Sequence, residues 1–313
     1  MIQKYLPLCC PCEEKADLFK ISNGLLCSNE NCAHNKSQHS FKEINGIPIL
    51  ISEINTDTVC SIDTEEKYIN RPFSGYEITK KILFGESVVT KKNCKKFIKQ
   101  VNSISKEGKI LVVGGGEKGS GTSELWKSKN LEIVSFDIYA SSSTDVVCDA
   151  HHMPFKENSF DGVWIQAVLE HVIEPSKVVS EIYRVLNKKG IVYAETPFMQ
   201  QVHEGAYDFT RFTVLGHRYL FKDFEMIEIG GNKGPEFVLA WAVRYFFWAL
   251  IRNKFLARII GIGFGILMRP FAPLMSKKSM YDASSGVFFL GRKAEGIKSI
   301  SHKDLIKLYK GQF

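Results

Sequence analysis

Short apolar runs, each followed by a polar or glycine-rich stretch, recur through the middle of the chain. Between the last two runs, residues 175–186 carry apolar side chains at helical spacing. Short apolar strands that alternate with helices indicate a parallel, doubly wound sheet. The five runs occupy residues 110–113, 131–136, 146–148, 160–165 and 191–195. The pattern therefore predicts an α/β fold with a Rossmann-like sheet.

The first apolar run leads into a glycine-rich turn, KILVVGGGEKGSG at residues 109–121, and a helix begins directly after it. This order is typical of nucleotide sites in α/β sheets, because glycine permits unusual backbone angles and a close approach of the cofactor. Gly114, Gly116 and Gly119 also fit the spacing of a dinucleotide site. Asp137 ends the second run, where its carboxylate can accept hydrogen bonds from both ribose hydroxyls. These residues predict a nucleotide-type cofactor without choosing which one.

Further motifs narrow the choice. In order after the glycine turn come Asp137, the pair Asp149 and Ala150, and then the sequences MPF, SFDGVW, LEHV and EIYRVLNKKG. Over residues 109–230 this order resembles the class I S-adenosylmethionine-dependent methyltransferases. The resemblance implies that the glycine loop carries the methionine and ribose end of the cofactor and that Asp137 holds the ribose hydroxyls. It also implies that Asp149 accepts from the adenine amino group and that His151 lies against the adenine.

One position departs from that family pattern. Many members have an acid two residues before the first glycine, where this chain has Val112, and Glu117 inside the loop is the candidate substitute partner for the methionine amino group. The acidic side chain of Glu117 also disfavours a dinucleotide, whose pyrophosphate it would repel. At the end of the fourth run, Gln166 and Glu170 are expected to face the transferred methyl group. We interpret Asp161, His171 and Trp164 as structural.

Residues 196–213, which we call the substrate loop, carry four ionisable side chains among aromatic ones: His203, Glu204, Asp208 and Arg211. Methyl transfer to a hydroxyl needs a base, and histidine suits this role near neutral pH. The sequence predicts His203 as the base, Glu204 or Asp208 as the group that orients it, and Arg211 as the group that holds a substrate anion or orders the loop. The alternative is that Asp208 and Arg211 only pair to fix the loop.

The substrate loop resembles the HE-x-x-YDF-x-RFT loop of methyltransferases associated with bacterial surface-glycan synthesis. This resemblance implies a glycan or lipid-linked saccharide as the methyl acceptor, with O-methylation ahead of N-methylation. A quinone or other lipid acceptor is the second enzymatic hypothesis. The third, from another class, is a non-catalytic cofactor-binding or zinc-ribbon interaction protein, which the valine at position 112 keeps open.

Five of the eight cysteines lie before residue 33. Cys9 and Cys12 form one knuckle, Cys27 and Cys32 form a second, and Cys10 could replace Cys9. Two such knuckles supply four thiolates for a tetrahedral Zn²⁺ site. The segment resembles the small zinc ribbons joined to methyltransferases, which implies structural zinc.

His34 and His39 are less favoured ligands, and free thiols in a small core are the alternative to zinc. The same N-terminal segment ends in a predicted hairpin turn at Asn45 and Gly46, followed by a short apolar strand. The first residues lack the pattern of a signal peptide, and clustered cysteines of this kind favour metal over disulfide in a reducing compartment. A cytoplasmic location is therefore expected.

The formal charge of +7 is concentrated in residues 231–280, which hold eight Lys or Arg and one acid. Within this region residues 235–280 are strongly apolar, and the longest uncharged run has ten residues, which is too short to span a bilayer. Basic, aromatic helices of this kind lie in the interface plane, so the segment predicts peripheral attachment to the inner face of an anionic membrane. A helical lid or the surface of a homodimer is the alternative. The lysines near residue 95 indicate a solvated helix face, so no nucleic-acid partner is expected.

The predicted organisation has four parts. They are a zinc ribbon (1–55), a linker with leading helices (56–108), the methyltransferase domain with its insertion (109–292) and a polar tail (293–313). The insertion is the basic apolar segment, residues 235–280, which is expected to be helical and to lie between a sixth strand at residues 224–230 and an antiparallel seventh at residues 285–292.

Overall fold

The computed structural model describes residues 6–37, 40–52, 87–296 and 298–311. Predictions for His39 and for most of the linker fall outside these residues. The N-terminal segment forms two small hairpins and a short helix between them. These elements are β1 (Leu18–Ile21), β2 (Gly24–Cys27), α1 (Ala33–Lys36), β3 (Glu43–Ile44) and β4 (Ile47–Pro48). Asn45 and Gly46 join β3 to β4 with positive φ angles of 52° and 79°, which confirms the predicted hairpin turn.

Among the described residues, seven strands form one central sheet in the order β10-β11-β9-β8-β5-β6-β7. The strands are β5 (Gly108–Val113), β6 (Leu131–Asp137), β7 (Val146–Val147), β8 (Phe160–Gln166), β9 (Leu186–Pro197), β10 (Glu225–Gly231) and β11 (Gly286–Arg292). β5 pairs in parallel with β6 and β8, and β11 is antiparallel to both of its neighbours. The predicted doubly wound sheet and its antiparallel last strand are confirmed.

Helices pack on both faces of this sheet, and two more form a hairpin between its last two strands in the sequence. They are α2 (Val88–Asn102), α3 (Ser123–Lys127), α4 (Pro175–Val185), α5 (Val214–Leu220), α6 (Pro235–Ile251), α7 (Lys254–Met268), α8 (Ser279–Ala283) and α9 (His302–Lys307). Side chains of a strand alternate between faces. In β5, Ile110 and Val112 accordingly join the core under α2, whereas Leu111 and Val113 join the core that contains α4. Burial on both faces explains why this strand reads as a continuous apolar run.

The structure has no loop between α4 and the fifth strand. The polar residues 187–190 suggest one in the sequence, but β9 begins at Leu186, directly after α4. Phe160 pairs with Leu186 and Gly162 pairs with Ile191, so the intervening residues bulge out of the ladder. Lys189 turns this bulge with a φ of 69°. The polar residues that suggested a loop therefore lie within an irregular strand.

The N-terminal segment packs on the edge of the sheet rather than standing apart from it. Ile49 forms a parallel bridge with Val147 of the edge strand β7, and the amide of Leu50 donates to the Val147 carbonyl over 2.7 Å. Three of its cysteines share one hydrophobic core with the central sheet: Cys10, Cys27 and Cys32. Strand β7 is only two residues long, and this segment covers its open side.

Helices α6 and α7 form an antiparallel hairpin between β10 and β11, where the insertion was predicted. Gly261 lies so close to the other helix that an added Cβ would meet the Arg244 Cβ at 2.6 Å. One helical stretch among the described residues, Lys254–Leu274, has the length and composition of a membrane span, with 21 residues, a mean hydropathy of 1.5 and 11% of its most apolar window buried. The expectation that this segment is too short to span came from counting only its uncharged run.

Candidate active site

The glycine loop leaves the carboxyl end of β5 in a conformation that requires glycine. Gly114 has a φ of 71°, and the Gly115 amide donates to the Phe136 carbonyl over 2.8 Å. The Gly116 amide donates to Asp137 Oδ2 over 2.8 Å, and a Cβ at Gly116 would lie 2.7 Å from that oxygen. The backbone therefore approaches the Asp137 carboxylate more closely than any side chain would permit.

Asp137 and Asp149 follow neighbouring strands, β6 and β7, whose carboxyl ends meet at one edge of the sheet. The Cys148 amide donates to the Asp137 carbonyl over 3.0 Å, which ties the two strand ends together. Asp137 Oδ1 accepts from the Ile138 amide over 2.7 Å, so both carboxylate oxygens contact backbone amides at this edge. The predicted adjacency of the two carboxylate-bearing strand ends is present.

Asp149 is buried and is engaged by a residue of its own turn. Its Oδ1 accepts from the amide of His151 over 2.8 Å and lies 2.7 Å from His151 Nδ1. His151 Nε2 in turn accepts from the Glu174 amide over 3.2 Å, so the imidazole is fixed at both nitrogens. Ala150 begins the short 3-10 turn between them and is also buried. Asp149 therefore holds His151 in a fixed orientation at the adenine side of the predicted site.

The remaining predicted cofactor residues lie on or beside the glycine loop. Glu117 and Gly119 are exposed on its surface. Gln166 reaches the loop from the end of β8, where its Nε2 donates to the Ser120 carbonyl over 3.2 Å. Val112 is buried in the core below the loop, so no acid faces the cofactor from that position.

A buried glutamate that sequence reasoning missed joins four elements beneath this loop. Glu195 Oε2 accepts from the Thr90 hydroxyl over 2.8 Å and from the Tyr193 hydroxyl over 2.6 Å. Its Oε1 accepts from Asn232 Nδ2 over 2.6 Å and from Gln166 Nε2 over 3.4 Å. Burial raises the pKa of Glu195 in spite of these donors. The network fixes Gln166 and the start of α2 against the cofactor loop.

His203 lies between two carboxylates at the carboxyl ends of β8 and β9. Its Nδ1 is 3.1 Å from Asp208 Oδ2, and its Nε2 is 3.9 Å from Glu170 Oε1. Asp208, rather than Glu204, orients the ring, because Glu204 lies on the exposed side of the substrate loop. Burial and the neighbouring His171 lower the pKa of His203, which keeps the imidazole neutral at pH 7.

Arg211 orders the substrate loop instead of reaching outward for an anion. Its guanidinium binds both oxygens of Asp208, with the Nη2 to Oδ2 distance at 2.7 Å. It also donates to the carbonyls of Gln200 and Gln201. This pairing lowers the pKa of Asp208 to about 2. Of the two roles predicted for Arg211, the structure supports loop ordering.

Glu170 and His171 complete the cluster around His203. The Glu170 side chain is fully buried, and burial raises the pKa of its carboxyl to about 8. His171 Nε2 lies 3.5 Å from Glu170 Oε1, and the His171 ring packs edge-on against the His203 ring. His171 thus lies beside His203, and its Nδ1 is 2.6 Å from the Tyr207 carbonyl oxygen, so its predicted structural role is compatible with these contacts. Asp161 is structural as predicted, since it accepts from the Lys109 amide and from Asn187. Trp164 is buried in the core, also as predicted.

Four cysteine sulfurs converge in the N-terminal segment. Ligand atoms of Cys10, Cys12, Cys27 and Cys32 all lie within 4.8 Å of one another. The predicted ligand Cys9 is replaced by Cys10, the alternative that the sequence left open. Cys9 is held elsewhere, because its amide donates to the Pro154 carbonyl over 2.9 Å.

The surroundings of the cysteine cluster also suit a metal. Backbone amides two residues further on, those of Cys12, Asn29 and His34, hydrogen-bond to the sulfurs of Cys10, Cys27 and Cys32. His34 contacts the cluster through Nδ1, which lies 3.4 Å from Cys32 Sγ and 3.6 Å from Cys10 Sγ, while its Nε2 lies 2.8 Å from the Ser52 hydroxyl. Four convergent sulfurs with amide donors behind them fit the ligand set of a structural zinc ion.

Comparison with known proteins agrees with this geometry. A family model described as a methyltransferase domain matches residues 111–194, which run from β5 to β9. Over 44 residues the chain is 43% identical to the ubiquinone/menaquinone biosynthesis C-methyltransferase UbiE of Desulfotalea psychrophila. That match covers 14% of this chain and only 18% of the length of that relative.

The chain is also similar to solved structures, among them a SAM-dependent methyltransferase from Archaeoglobus fulgidus. That match has 15% identity and a TM-score of 0.44, and it covers 70% of this chain and 100% of that one. Phosphoethanolamine N-methyltransferase 2 of Haemonchus contortus, in complex with S-adenosyl-L-methionine, has 18% identity and a TM-score of 0.42, covering 70% and 56%. The matched family model identifies residues 111–194 as a methyltransferase domain.

Proposed function

We propose that this chain transfers a methyl group from S-adenosylmethionine to a hydroxyl oxygen of a glycan or lipid-linked saccharide at the cytoplasmic membrane surface. The observation that carries the proposal is the position of His203, which the substrate loop holds between Asp208 and Glu170 at the carboxyl edge of the sheet. In open α/β sheets, this edge is where ligands bind.

The chemistry follows from the two nitrogens of His203. Asp208 accepts a hydrogen bond from the protonated Nδ1. The Nε2 atom therefore keeps a lone pair, which can take the proton of the acceptor hydroxyl. When bound, S-adenosylmethionine supplies an electrophilic methyl group: the oxygen–carbon bond forms as the carbon–sulfur bond breaks, and its electron pair stays on sulfur. The glycine loop, Asp137 and Asp149 would hold the cofactor. Gln166, which donates to the Ser120 carbonyl of the glycine loop, would face the methyl group.

A saccharide acceptor suits the surface of the substrate loop. Tyr207 and Phe209 are 56% and 43% exposed beside His203, and aromatic faces of this kind stack on sugar rings. The resemblance of the loop to those of surface-glycan methyltransferases favours the same acceptor class. The short match to a quinone C-methyltransferase favours a second candidate, a quinone or lipid acceptor, which the same aromatic residues would also accommodate.

The α6–α7 hairpin provides a membrane-facing surface. Its exposed apolar side chains include Phe246, Leu250, Phe255 and Leu267, which are 63–71% exposed. Basic residues accompany them, and each contributes ~1 kcal/mol near anionic headgroups. Lys254 begins the 21-residue stretch and Arg258 and Arg269 lie within it, which leaves an uncharged run of only ten residues, so we favour attachment to one leaflet over a span.

Sedimentation with vesicles tests this attachment. Binding should require anionic lipid and should be lost in high salt. Release by alkaline carbonate would support attachment to one leaflet, whereas retention would indicate a spanning helix. Sedimentation that depends on neither lipid charge nor salt would contradict the proposal.

Structural zinc is the third part of the proposal. Metal analysis of the purified chain should find one zinc per molecule. Cys27→Ser should remove it, and Cys94→Ser, at a buried cysteine of α2, should retain it. Equal zinc content in the two variants would contradict the assignment.

Mass spectrometry of cellular glycans and lipids, with and without the protein, tests the acceptor. The saccharide proposal expects a difference of one methyl group on a glycan or lipid-linked saccharide, and the same difference on a quinone would select the second candidate. With the acceptor in hand, His203→Ala should abolish transfer and keep S-adenosylmethionine affinity. Full activity of that variant would remove His203 from the reaction. Binding of the cofactor without transfer to any acceptor would favour a non-catalytic protein.

A further inference from the structure

We infer that Glu170, His171 and His203 form a site for a divalent cation between the sheet and the substrate loop. The inference rests on the proposed function and replaces its base, His203, with a cation that binds the acceptor oxygen. One ligand atom from each of the three residues lies within 4.8 Å of the others. The Glu170 side chain is fully buried, and within the described part of the chain neither carboxylate oxygen has a hydrogen-bond partner.

Both imidazoles are anchored through Nδ1. His171 Nδ1 is 2.6 Å from the Tyr207 carbonyl oxygen, which can only accept, so this nitrogen carries the proton. His203 Nδ1 is 3.1 Å from a carboxylate oxygen of Asp208, which Arg211 keeps ionised. In each ring the Nε2 atom is consequently left with a lone pair.

The two Nε2 atoms point to the same carboxylate oxygen, Glu170 Oε1, at 3.5 and 3.9 Å. Two imidazole nitrogens and a buried carboxyl group therefore converge on one position. A cation bound there would be coordinated by all three groups. A metal-ligating histidine usually donates its second ring nitrogen to a carboxylate or a backbone carbonyl. Asp208 and the Tyr207 carbonyl take these positions here.

The donor set and its spacing select the class of cation. Ligand bonds of about 2.1 Å place neighbouring donor atoms roughly 3 to 4 Å apart, which agrees with both separations from Glu170. Two imidazoles and one carboxylate suit Mn²⁺, Fe²⁺ or Zn²⁺. Three protein ligands leave further coordination positions of the ion open.

A cation at this position changes the role of His203 from base to ligand. The acceptor hydroxyl would occupy an open position, and coordination favours loss of its proton to water. The oxygen then forms its bond to the methyl carbon as the carbon–sulfur bond breaks, with the electron pair going to sulfur. Aromatic Tyr207 and Phe209 border the same opening.

The test uses Mn²⁺ as the probe, because this cation prefers nitrogen and oxygen ligands to the thiolates of the cysteine cluster. The full chain, with its zinc retained, is titrated with Mn²⁺ and free Mn²⁺ is followed by electron paramagnetic resonance. One ion should bind per chain, and pulsed spectra should show coupling to imidazole nitrogen. Glu170→Gln and His171→Gln should each weaken binding by more than about 100-fold, the upper range for outer-shell changes. Glu157→Gln, an exposed carboxylate elsewhere, should bind as the parent does.

Mn²⁺ binding that is equal in Glu170→Gln and the parent would overturn the inference, as would a chain that binds no Mn²⁺. Should Glu170→Gln unfold, as judged by circular dichroism, the pulsed spectra of the parent decide: absence of nitrogen coupling overturns the site. Transfer activity separates the two proposals. If transfer persists in a chelator while the zinc is retained, the cation site is refuted and the proposed function stands. If Mn²⁺ binds but no methyl group is transferred to any saccharide or quinone, the proposed function is refuted and the cation site stands.

Discussion

The most direct test of the cofactor site is Asp137→Asn, which keeps the size of the side chain and removes its charge. In the parent, Asp137 Oδ2 accepts from the Gly116 amide and Oδ1 accepts from the Ile138 amide, at 2.8 and 2.7 Å. An amide side chain has one oxygen, so one backbone donor must then face an NH₂ group. The substitution therefore disturbs the loop and the ribose contact together.

A hydrogen bond to a charged group contributes about 1.5–3 kcal/mol. Since each 1.4 kcal/mol is a factor of ten in affinity, loss of one such bond should weaken S-adenosylmethionine binding about 10- to 150-fold. Isothermal titration calorimetry of the parent and the variant measures this change. Glu132→Gln is the matched control, because Glu132 lies on the same strand and pairs with Lys109 at its other end.

The cofactor assignment fails if Asp137→Asn binds S-adenosylmethionine within about threefold of the parent while remaining folded. It fails more completely if the parent binds NAD tightly and S-adenosylmethionine not at all. An equal loss of affinity in Glu132→Gln would show that the effect comes from the strand as a whole and not from the carboxylate at its end.

Three further substitutions test other parts of the argument. Gly116→Ala should abolish measurable cofactor binding in calorimetry while the far-ultraviolet spectrum is retained, because the new Cβ would lie 2.7 Å from Asp137 Oδ2; parental affinity would contradict the loop geometry. His217→Phe should flatten the pH dependence of stability. Burial lowers the pKa of His217 to about 3 from 6.5, so between pH 7 and 5 the unfolded chain binds a proton that the folded chain does not. The free energy of unfolding of the parent therefore falls by about 2 kcal/mol over this range. Urea unfolding at both pH values measures this loss, and His302→Gln, at an exposed histidine, should behave as the parent does. Cys27→Ser should lower both the melting temperature and the cofactor affinity, and unchanged values for both would separate the cysteine cluster from the fold.

Strand ends were predictable from the sequence because they follow from local pattern alone. The apolar run 131–136 ends in Asp137, and the carboxyl ends of parallel strands meet at one edge of the sheet. The glycine turn was predictable for the same reason, since few residues other than glycine adopt a φ of 71°. Each of these features depends on residues close to one another in the chain.

Partners across the fold could not be predicted in this way. Glu204 is adjacent to His203 in the sequence and Asp208 is five residues away, and only the turn of the loop directs Asp208 inward. The role of Glu195 depends on Thr90, which lies 105 residues earlier. The contact between His171 and His203 was equally hidden, because the two residues belong to different connections of the sheet.

The cysteine cluster depends both on local sequence pattern and on contacts across the fold. The spacing of the cysteines predicted a metal, with Cys9 as a ligand and Cys10 as its alternative, and packing against the sheet distinguishes the two. Leu8 bridges to Phe155 and the Cys9 amide bonds to Pro154, so the first knuckle is fastened to the segment that directly follows His151. Folding of the cysteine cluster is therefore coupled to the adenine side of the cofactor site. A zinc ion there would stabilise the edge of the sheet that binds the cofactor, even though it lies outside the chemistry.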